Sequence, residues 1–233
     1  MTPYVLLGLL WAIWLLGLFT EDPLRSLAVS LANFAGAYAL ARIARQAPVV
    51  LRRALMGLGL GLLLLGVGDL FFTYQVTTGQ NTRALREPFY LLGVAFFLLM
   101  GTLLPFRMGQ QGLYPVGFFP RLALAAILGG TLLAAASTLI RPLGLVELIY
   151  AAAAFYLTLL FAQQTPLLAG GRIGRSLQGV VWALVLGSLA RVVDVLGGVP
   201  PAYWSIVVYD ILWLLAMSVL LLGFSRTQAP RSP

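Results

Sequence analysis

Gly57–Leu65 reads GLGLGLLLL and Ile211–Gly223 reads ILWLLAMSVLLLG, and both stretches are apolar on every side. A soluble amphipathic helix would show a polar stripe, and a lipid-facing barrel strand would alternate polar and apolar positions. Neither pattern is present. Runs of similar character extend outward from these two and place helices near 3–19, 25–43, 54–75, 88–106, 118–139, 143–163, 177–197 and 203–224. A helix of about 20 residues crosses a hydrocarbon core of roughly 30 Å while satisfying its own backbone. The expected fold is all-α, a polytopic membrane bundle of about eight transmembrane helices. It forms a single transmembrane domain over 1–233, with a short tail at 227–233.

Composition narrows the chemistry. Hydrophobic residues make up 61% of the 233 positions and charged residues 9%, so lipid is the solvent for most of the surface. All 15 basic residues are arginines, and His and Cys are absent. Retinal-type Schiff bases, thiol catalysis, disulfides, the usual zinc sites, haem ligation by His or Cys and the Ser-His-Asp arrangement are thereby excluded. No metal and no cofactor is expected. The net charge of +8 does not imply nucleic acid, because the arginines sit in short loops between spans, where the positive-inside rule accounts for them.

Loop breakers divide the spans at Asp22-Pro23, Pro48, Pro88, Pro115, Pro120, Pro142, Pro166 with Gly170-Gly171, and Pro200-Pro201. Arg42, Arg45, Arg52, Arg53, Arg107, Arg121, Arg172, Arg175, Arg226 and Arg231 fall on one side, against Arg25, Arg83, Arg86 and Arg141 in or near the loops of the other. That bias makes the first side cytoplasmic and puts both termini inside. The first span has no basic leader and no A-x-A cleavage site, so it reads as a retained helix.

All seven carboxylates fall toward the outer side: Glu21, Asp22, Asp69, Glu87, Glu147, Asp194 and Asp210. Asp69 sits roughly 9 Å below the outer end of its helix and Asp210 roughly 10 Å below the start of its own. Arg191, three residues before Asp194, shares a helix face with it and lies near the same depth. Ionisable groups inside a span cost several kcal/mol unless paired or wetted, so Asp69, Arg191, Asp194 and Asp210 are expected to converge on one polar layer, with Arg191 as the shared cation. Tyr74, Tyr90, Tyr203, Trp204, Tyr209 and Trp213 lie near it. Two readings of the layer stand side by side: an outward-opening ligand pocket, and a structural ion-pair network beneath an ordinary aromatic belt. Gly57, Gly59 and Gly61 read as close helix packing.

The chain also reads as a parallel 4+4 internal repeat, with halves of about 1–113 and 114–226. Asp22-Pro23-Leu24 corresponds to Arg141-Pro142-Leu143, Ala37-Tyr38 to Phe155-Tyr156, Gln46-Ala47-Pro48 to Gln164-Thr165-Pro166, Asp69 to Asp194, and Glu87–Leu92 to Asp210–Leu215.

Gly68–Tyr74 (GDLFFTY), Thr78-Gly79-Gln80, Glu87 with Tyr90–Gly93 (YLLG), and Asp210–Leu215 (DILWLL) resemble the multi-helix membrane sensor regions that precede bacterial diguanylate cyclase domains. The resemblance implies a sensory or ligand-binding module in a bacterial cytoplasmic membrane, surrounded by membrane lipids. The ligand set is then Asp69, Tyr74, Glu87, Tyr90, Arg191, Asp194, Asp210 and Trp213. No output domain lies within the 233 residues, so a cytoplasmic or membrane signalling partner is expected. A second resemblance, to lysoplasmalogenase-type membrane hydrolases, rests on Gly68-Asp69, Asp194 and Arg141-Pro142-Leu143. It implies a lipid hydrolase using Asp69 and Asp194 as paired acid and base. Asp22 stands where that pattern has a basic residue, and no His follows near Gly101. A transporter or membrane-complex assembly subunit is the third alternative.

Overall fold

The computed structural model describes residues 3–19, 22–110, 156, 171–197 and 203–225. Within them the chain is helical without strands: α1 (Pro3–Phe19), α2 (Asp22–Gln46), α3 (Val49–Thr78), α4 (Arg83–Gln110), α5 (Gly171–Leu196) and α6 (Tyr203–Ser225). Five of these are long and apolar enough to cross a membrane, and α1 is a shorter apolar helix. This is the pattern of a multi-pass integral membrane protein. The spans expected near 118–139 and 143–163, and the repeat correspondences that rest on them, lie outside the described residues apart from Tyr156.

Helix ends follow local chemistry. Pro48 precedes α3 in an extended conformation (φ −51°, ψ 148°), where its missing N–H would have been unpaired anyway. Gly79 ends α3 with φ 72°, a left-handed cap whose N–H bonds the Gln75 carbonyl; the missing side chain permits that backbone at no steric cost. Three starts differ from expectation: α3 begins at Val49, not near 54, α5 at Gly171, not near 177, and α4 at Arg83, so that it runs through Pro88. The Asn81 side-chain oxygen accepts the Arg83 N–H, and the Thr82 carbonyl accepts those of Leu85 and Arg86, so the first turn is established before the proline is reached.

α2 is the hub, packing against α1, α3 and α6 and touching α5; α4 packs on α3, and α5 on α6. Small residues allow this. Ala28, Ala32 and Gly36 recur every four positions on α2, and a Cβ on Gly36 would collide with Met217 and Leu62 side-chain atoms. At the α5–α6 crossing a Cβ on Gly179 would lie 3.3 Å from Gly223 Cα, a backbone-to-backbone approach. Leu55, Leu58 and Leu62 of α3 meet Ile43 of α2 and Leu214, Leu220 and Leu221 of α6 in the core. α1, α3 and α5 finish at the end of the bundle where α2, α4 and α6 begin, and the polar side chains gather toward that end.

Candidate functional site

Ser26, Ser30 and Asn33 recur at helical spacing on α2 and face Asp69 and Thr73, four residues apart on α3. Thr73 Oγ1 donates to the Asp69 carbonyl at 2.9 Å, so its single proton is used and Ser26, 2.8 Å away, donates to it. Below this pair the carboxylate of Asp69 receives two donors, Asn33 Nδ2 at 2.6 Å and the Tyr90 hydroxyl at 2.6 Å, one on each oxygen. The indole N–H of Trp213 donates to Asn33 Oδ1 at 2.9 Å. These contacts fix the amide orientation, because flipping it would set an oxygen against the carboxylate and an NH₂ against the indole N–H. The chain Tyr90–Asp69–Asn33–Trp213 thus joins α4, α3, α2 and α6. Hydrogen bonds to a charged group contribute about 1.5–3 kcal/mol each, more than neutral ones.

Arg191 of α5 adjoins this chain. Its guanidinium carbon lies 5.1 Å from the Tyr209 ring centre and 5.6 Å from that of Trp213, and those two rings stack at 6.0 Å. It faces Asp194 at 3.7 Å, a loose pair whose acid is 49% exposed. Its charge also acts on Asp69 through space.

A second polar centre lies between α1, α2 and α6. Arg25 Nε is 2.9 Å from Asp210 Oδ2, both side chains are buried, and the Trp14 indole donates to the same oxygen at 3.3 Å. Arg25 also sits against the Tyr203 ring at 5.7 Å.

The inner side of the first centre opens into a cavity of about 70 Å³ between α2, α3, α4, α5 and α6. Its wall is almost wholly apolar, with Leu58, Leu62, Phe97 and Val180 among the lining, and Ser188, Arg191 and Trp213 together at one end. Asp69, Asn33 and Tyr90 stand outside that wall.

The layer expected from the sequence is therefore divided. Asp69 and Tyr90 are joined directly, Trp213 is joined to them through Asn33, and Arg191 pairs with Asp194. Asp210 faces Arg25, because α2 starts at Asp22 and carries Arg25 on its first turn, close to the expected start near 25. Tyr74 and Glu87 are not brought to the site. Tyr74 is exposed and donates to Gln80 at 3.2 Å, and Glu87 pairs with Arg83 one helical turn away. Sequence reading missed Asn33, the residue on which the chain of bonds turns. The signal was the 26, 30, 33 spacing of Ser, Ser and Asn in an otherwise apolar span, which a search for charges passes over.

Among the described residues no group of His, Cys, Asp or Glu is placed to hold a metal ion. The chain matches no protein-family model, no curated protein and no solved structure.

Proposed function

We propose that this chain is an integral membrane ligand-binding module of sensory type, embedded in a bacterial cytoplasmic membrane with both termini inside, and acting through a partner protein. On this reading the bundle has eight spans in a 4+4 arrangement, and the polar centre lies in its outer half.

The observation that carries it is the position of Trp213. Its ring forms part of the cavity wall while its N–H bonds Asn33, which bonds Asp69, which bonds Tyr90. A molecule entering the cavity touches an element wired to three other helices, so occupancy can shift their arrangement. The arginine asymmetry supports the orientation, and the sensor-like motifs support the class. A hydrolase sharing a water between Asp69 and Asp194 has less support, since both Asp69 oxygens already receive donors and Asp194 faces Arg191.

The test is a panel of lipophilic compounds against purified protein in nanodiscs, read by thermal unfolding and by the emission of a variant that keeps Trp213 and replaces the other tryptophans with Phe. A compound that raises the unfolding temperature and shifts Trp213 emission is the expected result. A folded protein that responds to none of the panel overturns the reading.

A further inference from the structure

Ser188 is 6% exposed, lines the cavity, and its hydroxyl has no hydrogen-bond partner among the described residues. A serine within a helix ordinarily bonds the carbonyl one turn back, as Ser30 and Ser218 do here. A buried hydroxyl without a partner costs roughly 1–3 kcal/mol. Arg191, three residues on, lines the same end of the cavity. The polar end of the cavity therefore offers donors. The Trp213 N–H is committed to Asn33, Asp194 faces Arg191, and Asp69 stands outside the wall with both oxygens bonded.

Charge and size narrow the occupant. Arg191 already faces the Asp194 carboxylate at 3.7 Å, so a second anion would compete with that acid for it. An added cation would meet Arg191 itself. The space of about 70 Å³ is roughly half that of the 150 Å³ engineered cavity that admits benzene, so it takes the functional end of a slender chain better than a ring system, the rest of the chain leaving through the open side of the cavity.

Resting on the ligand-binding reading above, we propose that the cavity binds the uncharged carbonyl group of an aliphatic molecule, its oxygen accepting from Ser188 beside Arg191 and its chain lying against Leu62, Phe97 and Val180. An acyl ester of a membrane lipid and a free aliphatic ketone both carry this chemistry.

The experiment uses the full chain in nanodiscs of ether-linked phosphatidylcholine, which has no acyl carbonyl, with added 2-heptanone, heptane, heptanoate or heptylamine, and in discs of ester-linked lipid with the same chains. A free carbonyl ligand predicts that 2-heptanone raises the unfolding temperature more than the other three. A lipid ester predicts greater stability in ester than in ether discs. In either case Ser188→Ala removes the difference, weakening 2-heptanone binding about fivefold to tenfold, while the unliganded variant unfolds no earlier than the parent. Ala183→Leu fills the cavity from a neighbouring position and removes the response without touching a polar group. Equal effects of heptane and 2-heptanone, a preference for heptanoate or heptylamine, or a carbonyl response that survives in Ser188→Ala overturns the carbonyl assignment and leaves the ligand-binding reading standing. No response to any compound or lipid overturns both.

Discussion

Asn33 Nδ2 lies 2.6 Å from Asp69 Oδ2, and this contact makes α2 and α3 one polar unit in the midst of apolar packing. The amide satisfies the carboxylate with one end and the Trp213 indole with the other, so no apolar residue of similar size can replace it without leaving the half-buried Asp69 and the buried Trp213 each short of a partner.

Asn33→Leu is accordingly expected to lower the unfolding free energy by about 2–4 kcal/mol, combining the loss at Asp69 with the loss at Trp213. Tyr90→Phe, which removes one donor from Asp69 and leaves Asn33 in place, is expected to cost less, about 1.5–3 kcal/mol. Denaturant titration in mixed micelles measures both. A smaller loss for Asn33→Leu than for Tyr90→Phe contradicts the central place given to Asn33.

The Arg25–Asp210 pair is buried on both sides, and breaking it by Arg25→Leu or Asp210→Leu alone is expected to cost about 3–5 kcal/mol, because each leaves a buried charge without this counter-charge. The double change Arg25→Leu with Asp210→Leu should cost less than either single change. Additive losses in the same titration would show that the two side chains act independently.

Arg191→Leu provides the contrast. Its partner Asp194 is half exposed and 3.7 Å away, so the loss is expected to be smaller than for Arg25→Leu, and further removal of Asp194 should restore little. If thermal unfolding shows Arg191→Leu to be the more damaging of the two arginine changes, Arg191 is the cation on which the layer depends after all.

Gly179→Ala places a methyl group 3.3 Å from Gly223 Cα, where the neighbour is backbone and cannot swing aside. The α5–α6 crossing should open, at about 1–3 kcal/mol. Gly36→Ala meets side-chain ends of Met217 and Leu62 instead, and Met217 is flexible enough to give way, so its cost should be lower. Comparing the two unfolding temperatures checks this ordering.

The apolar runs located each described helix because lipid demands long uninterrupted helices, but they set the starts of α3, α4 and α5 five or six residues late, since polar residues carry each helix beyond its apolar run. The missed start of α4 has a plain cause: Pro88 reads as a breaker, yet Asn81 and Thr82 had already nucleated the turn ahead of it. At the site, charge and depth were enough to single out Asp69, Arg191, Asp194 and Asp210, but depth alone does not say which helices are neighbours. Arg25, placed at the very start of its span, was therefore not set against Asp210, and Arg191 was given a carboxylate that faces Arg25. Asn33 carries no charge and so costs less to place in a span, which is why it drew no notice although it bridges two partners.

The contact between Trp14 and Asp210 spans 196 residues of chain, and the Arg25–Asp210 ion pair beside it closes a separation nearly as long. At a synthesis rate of about 5–20 residues per second, Arg25 enters the bilayer about 10–40 s before its counter-ion has been made. During that interval the first hairpin carries Arg25 without the carboxylate it faces in the finished bundle. The Arg25–Asp210 pair and the Trp14–Asp210 bond form only once the last helix has arrived, so final assembly of the bundle waits on the completion of α6.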